Sequence, residues 1–402
     1  MPQTPDAAPD HTPQTAPAPQ GPDQTDRVII AAAEELGIGC PCDVVVVDDA
    51  TGELTAFALA AVADHTNAVV LSWTSSLTLA AALRERFAEQ IDGGRLRVPA
   101  GPGVTPLEQA AAEVEGHLMV LMRLPKAVHA LEDRARRLAE AVRGSGQNGL
   151  EIVAGGRVKH MTRAQNEALG TLFDEVRASR GIGKSRALIA TDLREQAAAP
   201  AAAESSARLT VRGEPRELAL RGIGAVFGGA GADAGSLLLL DALDRALTAG
   251  ELGTSESPVA AAADLGCGNG LMTAYLAAAL PEASVLGSDV DADAVGSTRE
   301  TLAANTLARE NVQVSWDDAL SRLEAESLDL VLLNPPFHDG TTVDATLVQG
   351  LLDSAARVLR PGGQLWFVHN SHLRYRTEVE RRVGDVEQRA RDRRFTVLRA
   401  TR

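Results

Sequence analysis

Apolar residues along this chain fall in short runs, separated by stretches with a helical beat. The segment DVVVVDD at 43–49 is apolar at successive positions, as a strand covered on both faces must be. Shorter aliphatic runs follow at 68–73, 95–98, 117–124, 150–153 and 186–191. The intervening segments 77–90, 106–115 and 126–143 repeat with a 3.6-residue period and predict amphipathic helices. Such alternation predicts an α/β layer with a mostly parallel sheet. It breaks at 196–207, where Ala, Pro, Ser and Glu predict a linker, and then restarts. Helices are expected at 235–248, 270–279, 292–305 and 344–359, and strands at 259–265, 284–290, 312–316, 329–334, 364–370 and 395–401. The fold class read from this is two tandem Rossmann-like α/β domains, 26–195 and 208–402. Residues 1–25 lack large apolar side chains and are expected to be a disordered tail.

With 402 residues, 45% of them hydrophobic, the chain can fill two cores. No apolar run reaches the ~18–20 residues of a membrane span, and the N-terminus lacks the basic start of a signal peptide. The three cysteines, Cys40, Cys42 and Cys267, are too few and wrongly spaced for a disulfide framework or a metal site. Cys40 and Cys42 are read as small buried residues, the chain as a cytoplasmic protein, and no metal is expected. The net charge of -15 argues against a phosphate-bearing partner. The segment 374–402 runs the other way, with ten arginines against five acids, and is expected to form a solvated, salt-bridged helix.

Chemistry enters at DLGCGNG, 264–270, between an apolar strand and a helix. Gly266, Gly268 and Gly270 permit a tight turn that a ligand can approach, with Cys267 and Asn269 between them. Asp264 precedes the first glycine, unlike the dinucleotide fingerprint. Asp289, followed by Val290, ends the next strand, where a carboxylate can accept from a ribose diol. Asp317 ends the third strand, placed to read an adenine amine. Glycine turn, acid and second acid at successive strand ends form the S-adenosylmethionine pattern. The plainer alternative is a glycine turn with two solvated aspartates.

NPPF follows the fourth strand. Pro335 and Pro336 stiffen the loop, so the Asn334 side-chain carbonyl and the Pro335 main-chain carbonyl become rigid acceptors. Two such acceptors can grip both hydrogens of an exocyclic amine on a base, and Phe337 offers a face for stacking worth ~1–3 kcal/mol. His338 is read as a rim residue.

Taken together, FGGAGADAGSLLLLDAL at 227–243, DLGCGNG, NPPFHDG at 334–340 and RRFTVLRA at 393–400 resemble the bacterial ribosomal RNA guanine-N2 methyltransferases. LPKAVHALEDRARRL at 124–138 and AGGRVKHMT at 154–162 look more like the large-subunit branch. The resemblance implies a first domain that has lost its cofactor and supports the second or helps bind RNA; DVVVVDD is indeed followed by ATGELTAF rather than a Gly-rich loop. It implies S-adenosyl-L-methionine as cofactor, ribosomal RNA or a ribosomal subunit as partner, and a monomer. Asp264, Gly266 and Gly268 would lie at the methionine end, Asp289 at the ribose and Asp317 at the adenine, with Cys267, Asn269, Val290 and Asn334 also against the cofactor. Asp233 and Gly235 would sit beside the segment closing over the cofactor, and Asn334, Pro335, Pro336 and Phe337 would hold the guanine. Competing readings are N6-adenine methylation of RNA or DNA, methylation of a protein glutamine, and a non-catalytic RNA-binding assembly protein.

Overall fold

Val44 to Val47 are fully buried, as are Ala262 and Ala263 in the second half, because each segment lies mid-sheet with helices on both faces. A computed structural model of the chain describes residues 21–38, 43–65, 68–103, 105–114, 116–145, 149–195, 203–226, 228–254, 257–336 and 345–402. Cys40, Cys42, Phe337 and His338 lie outside the described residues.

The first half contains strands β1 (Asp43–Val47), β2 (Val70–Trp73), β3 (Leu96–Arg97), β4 (His117–Arg123), β5 (Gly149–Arg157), β6 (Phe173–Ala178) and β7 (Ser185–Leu193). Its helices are α1 (Gln24–Leu36), α2 (Glu53–Ala61), α3 (Leu77–Arg86), α4 (Ala88–Asp92), α5 (Leu107–Ala112), α6 (Val128–Ser145) and α7 (Arg163–Gly170). The second half adds a hairpin, β8 (Ala203–Val211) and β9 (Glu214–Gly222), and then β10 (Ala261–Leu265), β11 (Ser284–Asp289), β12 (Val312–Trp316), β13 (Leu328–Leu333), β14 (Leu359–Asn370), β15 (Asp385–Arg391) and β16 (Phe395–Thr401). Its helices are α8 (Ala234–Thr248), α9 (Leu271–Ala279), α10 (Ala292–Ala304), α11 (Ala345–Val358) and α12 (Arg376–Arg382).

The sheets run β3-β2-β1-β4-β5-β7-β6 and β12-β11-β10-β13-β14-β16-β15, so the same order occurs twice. In the second sheet β10 to β14 pair in parallel, and β16 is antiparallel to both β14 and β15. Strand order reverses between β10 and β13, which opens a crevice at their C-terminal ends. The glycine turn leaves β10 and the Asn-Pro-Pro segment leaves β13, so both edge that crevice.

Two expectations change. Residues 203–207 begin β8 rather than continuing a linker, and in the arginine-rich end only Arg376–Arg382 is helical, followed by the unexpected strand β15 and then the expected strand over 395–401. The charges of this end pair across strands, where Glu387 stands opposite Arg399, and with the bend after α8, where Arg389 reaches Glu251 at 2.7 Å. The hairpin is held through a match of repeats. The N–H groups of Ala219, Arg221 and Ile223 donate to Asn305, Thr301 and Ser297, each at 2.9–3.0 Å. Two residues of strand rise ~6.6 Å and four of helix ~6.0 Å, so an i, i+2 row can follow an i, i+4 row.

In the first half the turn after β1 closes on itself. Buried Asp49 accepts from the N–H groups of Gly52 and Thr55, at 3.0 and 2.8 Å, and from the Thr55 hydroxyl. Arg86 lies across this turn, donating to the Thr51 carbonyl at 2.6 Å and to Glu53 at 2.9 Å. The helix N-terminus that would face a ligand is thus capped from within.

Candidate active site

Gly266, Gly268 and Gly270 have φ of 84°, 53° and 82°. At Gly270 the requirement is also steric, since a Cβ there would stand 2.8 Å from the Thr298 Cα. The turn brings the Gly268 N–H to Asp289 Oδ2 at 3.0 Å, while the Gly266 and Cys267 N–H groups both donate to the Ser288 carbonyl. Those donors are therefore used inside the protein rather than offered to a ligand. What the turn leaves is an acceptor. Asp264 is fully buried, takes the Thr273 hydroxyl at 2.7 Å on Oδ2, and has no partner for Oδ1. Burial raises its carboxyl to about 7. Burial also raises Asp289 above the ordinary carboxylate value, against N–H groups of Gly268 and Asp291 that favour its charged form.

A cavity of about 390 Å³ opens beside these groups, within the usual range for small-molecule sites. Its lining includes Gly266, Cys267, Gly268, Asn269, Asp289, Val290, Asp317, Asn334, Pro335, Pro336 and Asp233. Asp264 stands just behind the wall. Gly235 is not in the lining either: it is buried in the first turn of α8, where a Cβ would stand 3.2 Å from Phe395. Cys267 is buried and accepts from Thr298 at 3.2 Å; burial raises its thiol well above the ordinary value, so it stays neutral. Asp317 accepts from the Ser321 hydroxyl at 2.6 Å. Among the described residues five aspartates line the cavity and no Lys or Arg does. That charge disfavours a dinucleotide pyrophosphate and suits a cationic ligand. Val290 and Leu347, both in the lining, are two of the exposed large apolar side chains, as a flat apolar ring would require.

Two contacts were not legible in the sequence. Asn334 donates from its amide nitrogen to Asp233 Oδ2 and Ser236 Oγ, both at 2.8 Å. A carboxylate can only accept, so Asp233 fixes which way the amide faces and leaves Asn334 Oδ1 as the acceptor. Asp233 also caps α8 through the Ser236 N–H at 2.8 Å. Asn269 donates to the Gly229 and Gly231 carbonyls at 3.1 and 2.8 Å, which ties the segment before α8 over the cavity.

Sheet order, switch-point crevice and glycine turn are those of the class I methyltransferases, and the family model for the methyltransferase small domain matches residues 217–399. A second model, the RLMG N-terminal domain, matches 11–195. A ribosomal RNA large subunit methyltransferase G from Pseudomonas aeruginosa is 33% identical over 378 residues, covering 94% of this chain and 92% of its own. The Ectopseudomonas mendocina protein of the same name is 36% identical over 283 residues, 70% of each chain. The chain belongs to the ribosomal RNA large subunit methyltransferase G family. The same architecture is seen in the T. thermophilus 16S rRNA N2 G1207 methyltransferase, solved with AdoMet and guanosine, at TM-score 0.68 and 21% identity over 94% of this chain and 92% of that one. Among the described residues no helix is long and apolar enough to cross a membrane, and no cluster could hold a metal.

Proposed function

We propose that this protein methylates the exocyclic N2 amine of a guanine in ribosomal RNA, with S-adenosyl-L-methionine as donor. The observation that carries this is Asn334, its amide locked by Asp233 and Ser236 at the mouth of an acid-lined cavity. Residues fit the cofactor: the unpartnered Oδ1 of Asp264 is an acceptor for its ammonium group, Asp289 for the ribose hydroxyls, and Asp317 and Val290 edge the adenine space. When bound, the cofactor supplies an electrophilic methyl on a sulfonium. The chain's own part is positional. A guanine amine is a weak nucleophile because its lone pair is shared with the ring. Asn334 Oδ1 and the Pro335 carbonyl would accept its two hydrogens and hold the nitrogen on line. Phe337 would stack on the base, which must be flipped or unpaired to enter.

The acidic net charge is not spread evenly. Exposed Arg157, Lys159, Arg180, Lys184 and Arg186 converge where β5 meets β7, with Gly156 opposite Arg186 and the Val158 N–H on the Lys184 carbonyl. Two of the chain's three lysines are there, and none of these five cations pairs with a described acid. That tip supports contact with RNA phosphates. The protein is placed in the cytoplasm, as a monomer, its two halves being one unit: 26–195 as support and 208–402 as the catalytic domain. Incubating ribosomal RNA from a strain lacking the protein with enzyme and cofactor, followed by nucleoside mass spectrometry, tests the reading. N2-methylguanosine is expected; N6-methyladenosine, or no new nucleoside, would refute it.

A further inference from the structure

The two halves meet at the C-terminal ends of equivalent strands, β2 and β11. The Leu77 N–H donates to the Val290 carbonyl at 2.9 Å and the Ala292 N–H to the Ser75 carbonyl at 2.7 Å. The fully buried Trp316 indole N–H is shared between the carbonyls of Ser75 and Val290. The wall of the cofactor cavity is therefore also the contact between the halves.

Behind that wall the sequence DVDAD at 289–293 forms a ladder. The Asp291 N–H donates to Asp289 Oδ1 at 3.0 Å, and the Asp293 N–H donates to Asp291 Oδ1 at 2.8 Å. Asp293, 1% exposed, then accepts a two-pronged bond from Arg134 of α6 at 2.9 and 2.7 Å, and a third from Arg137 at 3.3 Å. Arg134 is 3% exposed and lies on the Trp73 ring, 4.6 Å from its centre. The Ala225 N–H also bonds Asp293, and Ala225 is itself in the cavity lining. Burial opposes ionisation of Asp293, yet Arg134 and Arg137 hold its carboxyl below the ordinary value; burial and Asp293 together raise Asp291 to about 7.

We propose that Arg134, from the half with no cofactor turn of its own, is a positioning residue for S-adenosylmethionine: its fork on Asp293 sets the Asp289–Asp293 ladder in place. Three carboxylates in series repel one another, and the countercharge comes from the other half. With the fork removed, the buried Asp293 carboxylate keeps only the longer bond from Arg137 and the Ala225 N–H, too little to offset its burial, so the ladder and the Ala225 segment move apart and the ribose site loses its shape. By linkage, cofactor binding tightens the contact between the halves in equal measure.

The inference rests on the cavity being the cofactor site, so titration of S-adenosylmethionine into the full-length wild type is the first measurement. No binding there would refute the functional reading itself. Given wild-type binding, Arg134→Met is expected to weaken the cofactor at least tenfold, with the KM for RNA unchanged and kcat at saturating cofactor within about threefold. Arg134→Lys, which keeps the charge but not the fork, is expected to recover part of the loss. Asp293→Asn combined with Arg134→Met is expected to be no worse than Arg134→Met alone, as coupled groups require. A cooperatively melting Arg134→Met protein that binds cofactor within twofold of wild type would overturn the proposal. If Arg134→Met does not fold, Arg134→Lys decides: a lower melting temperature with unchanged cofactor affinity would make Arg134 merely structural and overturn it equally.

Discussion

Asp233 offers the sharpest test of how the amine grip is built. Its Oδ2 accepts both from the Asn334 amide and from the Ser236 N–H, so one carboxylate oxygen orients the Asn334 side chain and caps α8. Asp233→Asn separates the two roles. Asn caps helices about as well as Asp, so stability should change by less than about 1 kcal/mol. The bond to Asn334 falls from a charged acceptor, worth about 1.5–3 kcal/mol, to a neutral one worth about 0.5–1.5 kcal/mol. A loss of about 1–1.5 kcal/mol in the transition state is about five- to tenfold in kcat. There is a second cost. Asn can donate as well as accept, so nothing then prevents Asn334 from flipping and presenting its NH2 to the substrate amine. About tenfold in kcat is expected for Asp233→Asn, and about 10- to 100-fold for Asp233→Ala, which removes the acceptor and the cap together. Single-turnover transfer of a labelled methyl group at saturating cofactor gives kcat, and calorimetry gives cofactor affinity. If Asp233→Asn kept its turnover but bound cofactor tenfold more weakly, Asp233 would be a cofactor ligand and the orienting role would be wrong.

Other predictions follow from the same geometry. Asn334→Ala should lower kcat by about 100-fold or more while leaving cofactor affinity within about threefold, the scale on which losing one aimed transition-state partner is felt; near-normal transfer to ribosomal RNA would remove Asn334 from the mechanism. Asp289→Ala should instead weaken the cofactor by about 10- to 150-fold in a calorimetric titration, since it removes a charged acceptor that two loop N–H groups hold in place. Asp264 has a folded-state value of about 7, above its unfolded value. Between about pH 4 and 7 the folded form therefore holds more protons, so apo stability from this group falls as pH rises through that window and is flat above it. Affinity for the cationic cofactor should move oppositely, rising up to tenfold per unit toward pH 7, and Asp264→Asn should flatten both trends. Changing Lys159 and Lys184 together to Glu should weaken RNA binding and lower the slope of log affinity against log salt by about 1.5, with cofactor binding intact.

The parts of this site that could be read from the sequence are local. A glycine turn, an acid at the end of the next strand and Asn-Pro-Pro after the fourth strand each declare themselves within seven residues, and the parallel order of an α/β sheet brings their strand ends together. Asp233 and Asn334 are 101 positions apart, and nothing local says that one orients the other. The fork from Arg134 to Asp293 spans 159 positions and joins two sheets. The arginine-rich end misled for a related reason. Charge pairs at helical spacing and pairs across two strands have the same composition, and only register distinguishes them, as when Glu387 meets Arg399. The hairpin from 203 was hidden because β8 is exposed along most of its length and carries little apolar signal.

One strand order occurs twice in this chain, and comparing the two copies shows what separates a site from a scaffold. In the second half Gly266 and Gly268 leave open space in the turn that meets Asp289, and the unpartnered oxygen of Asp264 waits behind it. In the first half the matching turn gives its Gly52 and Thr55 N–H groups to Asp49, and Arg86 fills the space over Gly52. Yet the first half has not become inert. The rim that would have held its own ligand now carries Trp73 and Ser75 against Val290 and Trp316, and α6 brings Arg134 to the second half's acidic ladder. A lost pocket removes the need for an open rim, and a closed rim can pack. The second half's cavity then gains a rigid neighbour at the loop that carries Asp289. On this view the first half is retained because Asp289, Asp291 and Asp293 would not hold one shape without the charge it supplies.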